Sequence, residues 1–519
     1  MRARLAIVVA LVAGTGAVVA IGAGSEVGGF GFGVAAGELG PRSVLLWTRA
    51  GNAGPVTAEV ALDESFNTVV ARISATATPD HDLTVTAPVA GLRPATSYAY
   101  RFSQGSVTSP VGRFKTAPSR LANVAVRFAY SGDADATPAP GSSTPFFGYF
   151  GVYAQVAAER NDFNVNLGDT IYSDSHVPGA KLALTVAAKW AKYRQNLAVP
   201  ALALLRRSTG LYSHWDDHEF VDDFSRAERG DDVYRAGVQA FTDYAPVTYS
   251  PERGLYRTFR WGRNVELFFL DERSFRSAKA SFGGVCDGPN RRLDPAPTLP
   301  QAVRNRFVAV APPLAVPAPA VCLERIRDAG RTMLGGDQLA RFEADVARST
   351  ATFKVIVNEV PIQQFYAFPY DRWEGYEAER RTLLEFLEKN VKNVVFLTTD
   401  THANLAGEVR LKTLEPGGPL GTGVLEVVTG PVGTNTFLRE IDAVLGVSGA
   451  ANLIASLFFT VPPPNGIGMK CAATNVFSYA EVEVTSRTLT ITPKDAHGRA
   501  VRQALGRPCG PFTVRASAG

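Results

Sequence analysis

Hydrophobic and polar positions follow two different rhythms along this chain. Over residues 26–118 they alternate in short runs: Ser43-Val-Leu-Leu-Trp-Thr-Arg49, Val56-Thr-Ala-Glu-Val-Ala-Leu62, Asp82-Leu-Thr-Val-Thr-Ala87 and Ser97-Tyr-Ala-Tyr-Arg-Phe102. Gly and Pro punctuate these runs at roughly ten-residue spacing, which predicts an all-β sandwich. From about residue 124 the rhythm changes, and continuous apolar runs alternate with helical periodicity. Helices are predicted over 150–160, 187–205, 337–347, with Leu339, Phe342 and Val346 on one face, and 377–389, with Leu383, Leu384 and Leu387 as the buried stripe. The runs at 353–357 and 394–397 are apolar at every position, as strands buried on both faces are. After about 408 the pattern is β-rich again, with strands at 424–429 and 478–484. The class is α/β (or α+β), preceded by a β domain.

The remaining segments carry less chemistry. Gly91-Leu-Arg-Pro-Ala-Thr-Ser-Tyr98 resembles the turn and tyrosine corner of fibronectin type III-like domains. His81, in Pro79-Asp-His-Asp82, reads as a solvated loop residue, and the Pro-rich stretch 295–319 as a surface excursion. Met1-Arg-Ala-Arg4 followed by the uncharged stretch 5–23 predicts a signal peptide over 1–24, with an uncleaved membrane anchor as the alternative. The β domain then covers 25–118 and a second domain 119–519. A net charge of +4 on 519 residues gives no dedicated nucleic-acid surface. Four cysteines without a Cys-x-x-Cys pair argue against a zinc ribbon or thioredoxin site. In an exported chain an even count predicts disulfides. Of the three pairings, Cys286–Cys322 and Cys471–Cys509 are favoured, because each brackets one loop-rich stretch; free buried thiols are the alternative.

The chemistry lies where apolar runs end. Four of them close on acids: Phe128-Ala-Tyr-Ser-Gly-Asp133, Phe163-Asn-Val-Asn-Leu-Gly-Asp169, Tyr212-Ser-His-Trp-Asp-Asp-His-Glu219 and Val394-Val-Phe-Leu-Thr-Thr-Asp-Thr-His402. Ligands of layered α/β folds bind at the carboxyl ends of strands. Carboxylates gathered there repel one another, so a pair of divalent or trivalent cations is the simplest way to hold them, and hydrolysis the leading reaction class. Asp169 follows a Gly that permits a tight turn and can bridge two cations; Tyr172 could add a phenolate or merely pack. Asp217 and His218 pair a ligand with an imidazole whose pKa suits proton transfer, Asp216 being a supporting acid. Asp400 and His402, two residues apart in extended chain, share a face. Asp133 begins the first strand–loop junction, and Asn358 could ligate or support. Arg273 or Arg276 could fork onto a phosphate, or pair with Asp271. There is no Gly-x-Ser-x-Gly elbow and no phosphate-binding Gly-Lys-Ser/Thr loop.

In order along the chain, Gly168-Asp-Thr-Ile-Tyr172, His214-Trp-Asp-Asp-His-Glu219, Leu270-Asp-Glu-Arg273, Leu334-Gly-Gly-Asp-Gln338, Asp371-Arg-Trp-Glu-Gly-Tyr376 and Thr399-Asp-Thr-His402 resemble the PhoD-like alkaline phosphatase family. The resemblance implies a four-layer metallophosphoesterase-type β-sandwich core flanked by helices. It also implies hydrolysis of phosphate mono- or diesters, in some members with phospholipase D-type activity on phospholipid. By position, Asp169, Tyr172, Asp400 and His402 would be metal ligands, with Asp217 and His218 at the junction of metal and phosphate. The family centre holds iron(III) and calcium beside a metal-binding Cys after the first core strand. Here Ser131-Gly-Asp133 stands instead, so Asp133 is the expected ligand, and Ca2+, Fe3+ and Mn2+ all stay open. The chain is expected to act as a secreted monomer, with His218 and Arg273 stabilising the transferring group. An exported binding protein with structural calcium is the reading from another class.

Overall fold

The computed structural model describes residues 29–517, except 290 and 310. The expected targeting segment lies outside the described residues. The alternating runs near the amino terminus form two antiparallel sheets. Val34–Gly37, Ser43–Arg49 and Thr84–Ala90 make one, and Gly54–Ala61, Val69–Ala77 and Ser97–Gln104 the core of the other. The Tyr98 hydroxyl accepts the Arg93 amide at 2.8 Å, closing the corner anticipated there. His81 is not merely solvated. Its Nδ1 lies 2.7 Å from Asp243 Oδ1 on the helix Asp231–Tyr244, and Asp243 Oδ2 accepts the Trp190 indole.

The rest of the chain is a sandwich of two sheets. One has six strands in the order Gly210–His214, Phe163–Leu167, Val126–Ser131, Ser478–Val484, Thr488–Asp495 and Phe512–Arg515, the first three parallel. The other has seven, with Val265–Phe269, Phe353–Asn358, Val394–Thr398 and Leu420–Val428 parallel at its centre. Side-chain alternation explains the uninterrupted apolar runs. Val395 and Leu397 point between the sheets, against Phe128, Val165 and Val427, while Val394 and Phe396 point outward. Outward side chains of the six-stranded sheet meet the helices Gly151–Ala158, Val186–Leu197, Pro200–Ser208 and Asp231–Tyr244. Those of the seven-stranded sheet meet Gly336–Arg348 and Glu377–Asn390. The result is four layers, helix–sheet–sheet–helix.

Three details differ from expectation. The helix foreseen over 187–205 is two helices, divided where Pro200 takes the first position of the second and cannot donate to the turn before it. The β-rich carboxyl-terminal region contains helices at Phe437–Leu445 and Ala450–Ile454, whose Phe437, Ile441 and Ala451 pack on one cluster. The Pro-rich stretch is more than a surface excursion, because Leu299, Val303 and Leu314 join that same cluster. Both favoured disulfides are present, Cys286–Cys322 and Cys471–Cys509.

Candidate metal centre

Parallel strands of both sheets end on the same edge of the sandwich, and the chain turns sharply at each end. Asp133, Asp169, Asp400 and His402 all have positive φ, between 50° and 65°. Such backbone is uncommon for residues with a side chain, costs about 1–3 kcal/mol each, and concentrates at functional sites. Gly168 (φ +71°) makes the tightest approach: a Cβ there would lie 2.5 Å from Asp216 Cβ. The turns hold one another. Thr399 Oγ1 donates to the Leu167 carbonyl at 2.8 Å, tying the two sheets together at the site, and the Ala134 amide donates to the Asp169 carbonyl at 3.0 Å.

The turns bring together most of the acids that the strand ends single out. Ligand atoms of Asp133, Asp169 and His402 lie within 4.8 Å of one another, as do those of Asp169, Asp217 and His218, and those of Asp216, Asp217 and Asp400. Asp169 belongs to the first two groups and Asp217 to the last two, so the three form one continuous centre. Asp216, expected as a supporting acid, stands inside it. Tyr172 is buried, with its hydroxyl 2.9 Å from His402 Nε2 and its ring stacked on His218 at 4.1 Å.

The Asn358 side chain donates to the Val360 carbonyl and accepts the Trp373 indole, a supporting rather than a ligating place. Arg273 is fully buried, with two of its three guanidinium nitrogens engaged and Nη2 left without a hydrogen-bond partner. Its Nε meets Asp216 at 2.5 Å, its Nη1 meets both oxygens of Asp371 at 2.8 and 3.0 Å, and its Nη2 lies 3.9 Å from Asp217 and from Asp400. Arg276 is likewise engaged, by Tyr376 and the Asp371 carbonyl. Arginine here neutralises the acid cluster.

Burial sets the electrostatics. It pushes the carboxyl of Asp133 up to about 7 against the pull of His402. It also raises Asp169 and Asp400 well above the carboxylate range, with neighbouring acids adding to the effect. Burial would lower His218, but the charges of Asp169, Asp217 and Asp174 outweigh it and raise it well above an ordinary histidine. Asp133 Oδ2 and Asp216 Oδ2 are buried without a hydrogen-bond partner. Bare buried carboxylate oxygens are costly, whereas cations satisfy them. Carboxylates, one imidazole and one phenol are a donor set for hard or borderline ions, and these residues fit a metal pair.

Asp174 and Glu440 escaped the sequence reading, whereas Glu219 stood in the acidic segment it singled out. Asp174 Oδ1 lies 2.6 Å from His218 Nδ1 and fixes the ring, and that interaction holds Asp174 at about 2 although burial opposes it. Glu219 accepts the amides of Asp169, Thr170 and Asp216, fastening two turns together. Glu440 Oε1 sits 2.9 Å from His402 Nδ1. Asp174, five residues beyond Asp169 on one loop, carried a local signal. Glu440, 38 residues from His402, carried none.

Comparison with known proteins bears on this geometry. The family model described as PhoD-like phosphatase matches residues 137–490, and that of its N-terminal domain matches 18–118. Alkaline phosphatase D of Bacillus subtilis (strain 168) is 27% identical over 431 residues, which are 74% of this chain and 66% of that protein. The chain thus spans just under two thirds of that relative's length. The solved structure of PhoD superposes with a TM-score of 0.70 at 22% identity, covering 95% of this chain and 90% of that one. A purple acid phosphatase, PPD1, from yellow lupin (Lupinus luteus) seeds gives 0.55 at 13% identity, covering 93% and 73%. These two structures share the fold.

Proposed function

The chain belongs to the PhoD-like phosphatase family, and from that premise we propose that it is a metal-dependent phosphoric ester hydrolase acting by direct attack of water on phosphorus. The observation that carries this reading is the sharing of Asp169 and Asp217 among three donor groups drawn from different strands. Asp133, Asp169, Tyr172 and His402 would hold one ion, and Asp169, Asp216, Asp217 and Asp400 the second. Bound there, the ions supply Lewis acidity, lowering the pKa of water towards roughly 7 and neutralising phosphoryl oxygens. His218, its Nδ1 engaged by Asp174, keeps Nε2 for handing a proton to the leaving oxygen. Arg273 acts indirectly, by holding Asp216 and Asp371 in a fixed array. No covalent intermediate is required.

The finer assignments belong to the same proposal. Calcium with iron(III) suits the phenol of Tyr172, and Asp133 in place of a thiolate favours calcium or manganese as well. Phosphate mono- and diesters, phospholipid among them, are the candidate substrates of a monomer. Residues 1–24 are its signal peptide or anchor, 25–118 the β-sandwich and 119–519 the hydrolase; two disulfides support export. The test compares turnover of nitrophenyl phosphate, bis(nitrophenyl) phosphate and phosphatidylcholine, with and without chelator. Chelator-sensitive turnover lost in Asp169→Ala supports the reading. Turnover retained by that variant overturns it. A calcium-stabilised binding protein is the weaker alternative, since a structural calcium site has no need of the Asp174–His218 pair.

A further inference from the structure

The helix Val186–Leu197 contributes nothing to the three donor groups, yet one of its faces reaches every loop that carries them on the six-stranded sheet. Lys189, Lys192, Tyr193 and Asn196 fall at i, i+3, i+4 and i+7, a single helical stripe. The Lys189 amine, wholly buried, donates to Ser173 Oγ and to the Phe220 carbonyl, both at 2.7 Å. Ser173 lies between Tyr172 and Asp174, and Phe220 two residues beyond His218. Asn196 donates to the carbonyls of Ala134 and Thr170 at 2.7 and 2.8 Å and accepts the Ala136 amide at 3.0 Å. It therefore joins the residue after Asp133 to the residue after Asp169. Lys192 and Tyr193 add contacts to Thr137 and Thr170. An ammonium with no exposed surface is an expensive way to fill a core position that Met would fill by volume. What Met could not do is span two loops with hydrogen bonds.

We infer that Lys189 and Asn196 are positioning residues of the hydrolytic site. Lys189 sets the Asp174–His218 pair against the rest of the centre, and Asn196 sets Asp133 against Asp169. The inference rests on the hydrolase reading above, and the two residues should fail differently. Without Lys189 the proton donor is misplaced while the metal donors stay. Without Asn196 the metal donors spread while the proton donor stays.

The test uses Lys189→Met, Asn196→Leu and His218→Ala in the full chain. Metal affinity is measured by chelator competition, and kcat is measured on nitrophenyl phosphate and on phenyl phosphate, whose leaving oxygen needs the proton more. In Lys189→Met, kcat on phenyl phosphate should fall about 10–100-fold, the range seen when supporting partners are removed. The loss on nitrophenyl phosphate should be much smaller and metal affinity unchanged, and in the His218→Ala background the substitution should add little. In Asn196→Leu, metal affinity should fall by about the same 10–100-fold, with the leaving-group dependence restored to wild type at saturating metal. Equal losses on both substrates, or full additivity with His218→Ala, would overturn the inference. Should Lys189→Met fail to fold, Ser173→Ala removes one of its acceptors from an otherwise intact core and must show the same leaving-group signature in weaker form. Wild-type kcat on phenyl phosphate in His218→Ala would instead overturn the role given to His218, which separates the two failures.

Discussion

Arg273 offers a quantitative check, because it stands among the acids of the centre. Carboxylate oxygens of Asp216, Asp217 and Asp400 lie within 4.8 Å of one another. Were all three ionised, at an effective dielectric of about 20 two charges at that separation would repel by about 3.5 kcal/mol and three such pairs by about 10 kcal/mol, a cost that Asp216 and Asp400 reduce by holding protons more tightly. Arg273 Nη2, 3.9 Å from Asp217 and from Asp400, returns about 4 kcal/mol on each, and its contact with Asp216 is shorter still. The guanidinium thus more than offsets the repulsion within the cluster when no metal is bound. Replacing it by Met leaves the acids to relax by taking up protons and admitting water, and breaking a buried ion pair in this way costs about 3–5 kcal/mol. Urea unfolding followed by tryptophan fluorescence measures the loss, with Trp215 and Trp373 as nearby reporters, bonded to Asp271 and Glu272. In chelator, Arg273→Met should be less stable than wild type by that amount. With excess calcium and manganese the deficit should shrink towards the roughly 1 kcal/mol of an ordinary substitution, since cations then take over the neutralisation. Equal stability in chelator, together with a raised KM for nitrophenyl phosphate, would refute the balance and restore Arg273 as a direct phosphate clamp.

Other consequences are as open to measurement. Burial holds the Lys189 amine at about 7, below its value in the unfolded chain. The unfolded state therefore binds the extra proton between pH 7 and about 10.4, and the penalty for burying the charge, complete below pH 7, is relieved as pH rises through that window. The unfolding free energy of wild type relative to Lys189→Met should accordingly grow by about 1.4 kcal/mol per pH unit from 7 to 9.5; a flat difference would contradict it. Gly168→Ala would force a Cβ to within 2.5 Å of Asp216 Cβ at φ +71°, so it should lose bound metal and nearly all turnover, as elemental analysis and a nitrophenyl phosphate assay would show. Each disulfide closes a loop of similar length, with separations of 36 and 38 residues, so replacing either pair by Ser should cost about 4 kcal/mol on the chain-entropy estimate, read from urea midpoints.

What the sequence revealed and what it hid follow one physical division. Strand ends were legible because a strand buried on both faces must be apolar throughout, so an acid after such a run stands out; Asp133, Asp169 and Asp400 were found that way. The β-sandwich showed itself through alternation, and the break at Pro200 was there to be read from the missing amide. Long-range partners were not. Lys189 and Glu440 look like ordinary helical charges until the fold brings Phe220 and His402 against them. The helix Phe437–Leu445 carried a signal that went unread, Phe437 and Ile441 four residues apart with Arg439, Glu440 and Asp442 as the polar positions, whereas Ala450–Ile454 is too short to set a period. Arg273 was recognised as chemically important, but nothing local foretold that its Nε and Nη1 would be held by Asp216 and Asp371.

Anomalous X-ray scattering from crystals grown with calcium and manganese examines the proposed centre most directly. Two peaks are expected, one among Asp133, Asp169, Tyr172 and His402 and the other among Asp169, Asp216, Asp217 and Asp400, and both should vanish in Asp169→Asn. No peak within coordination distance of Asp169 in wild-type crystals, in a preparation that still hydrolyses nitrophenyl phosphate, would contradict it.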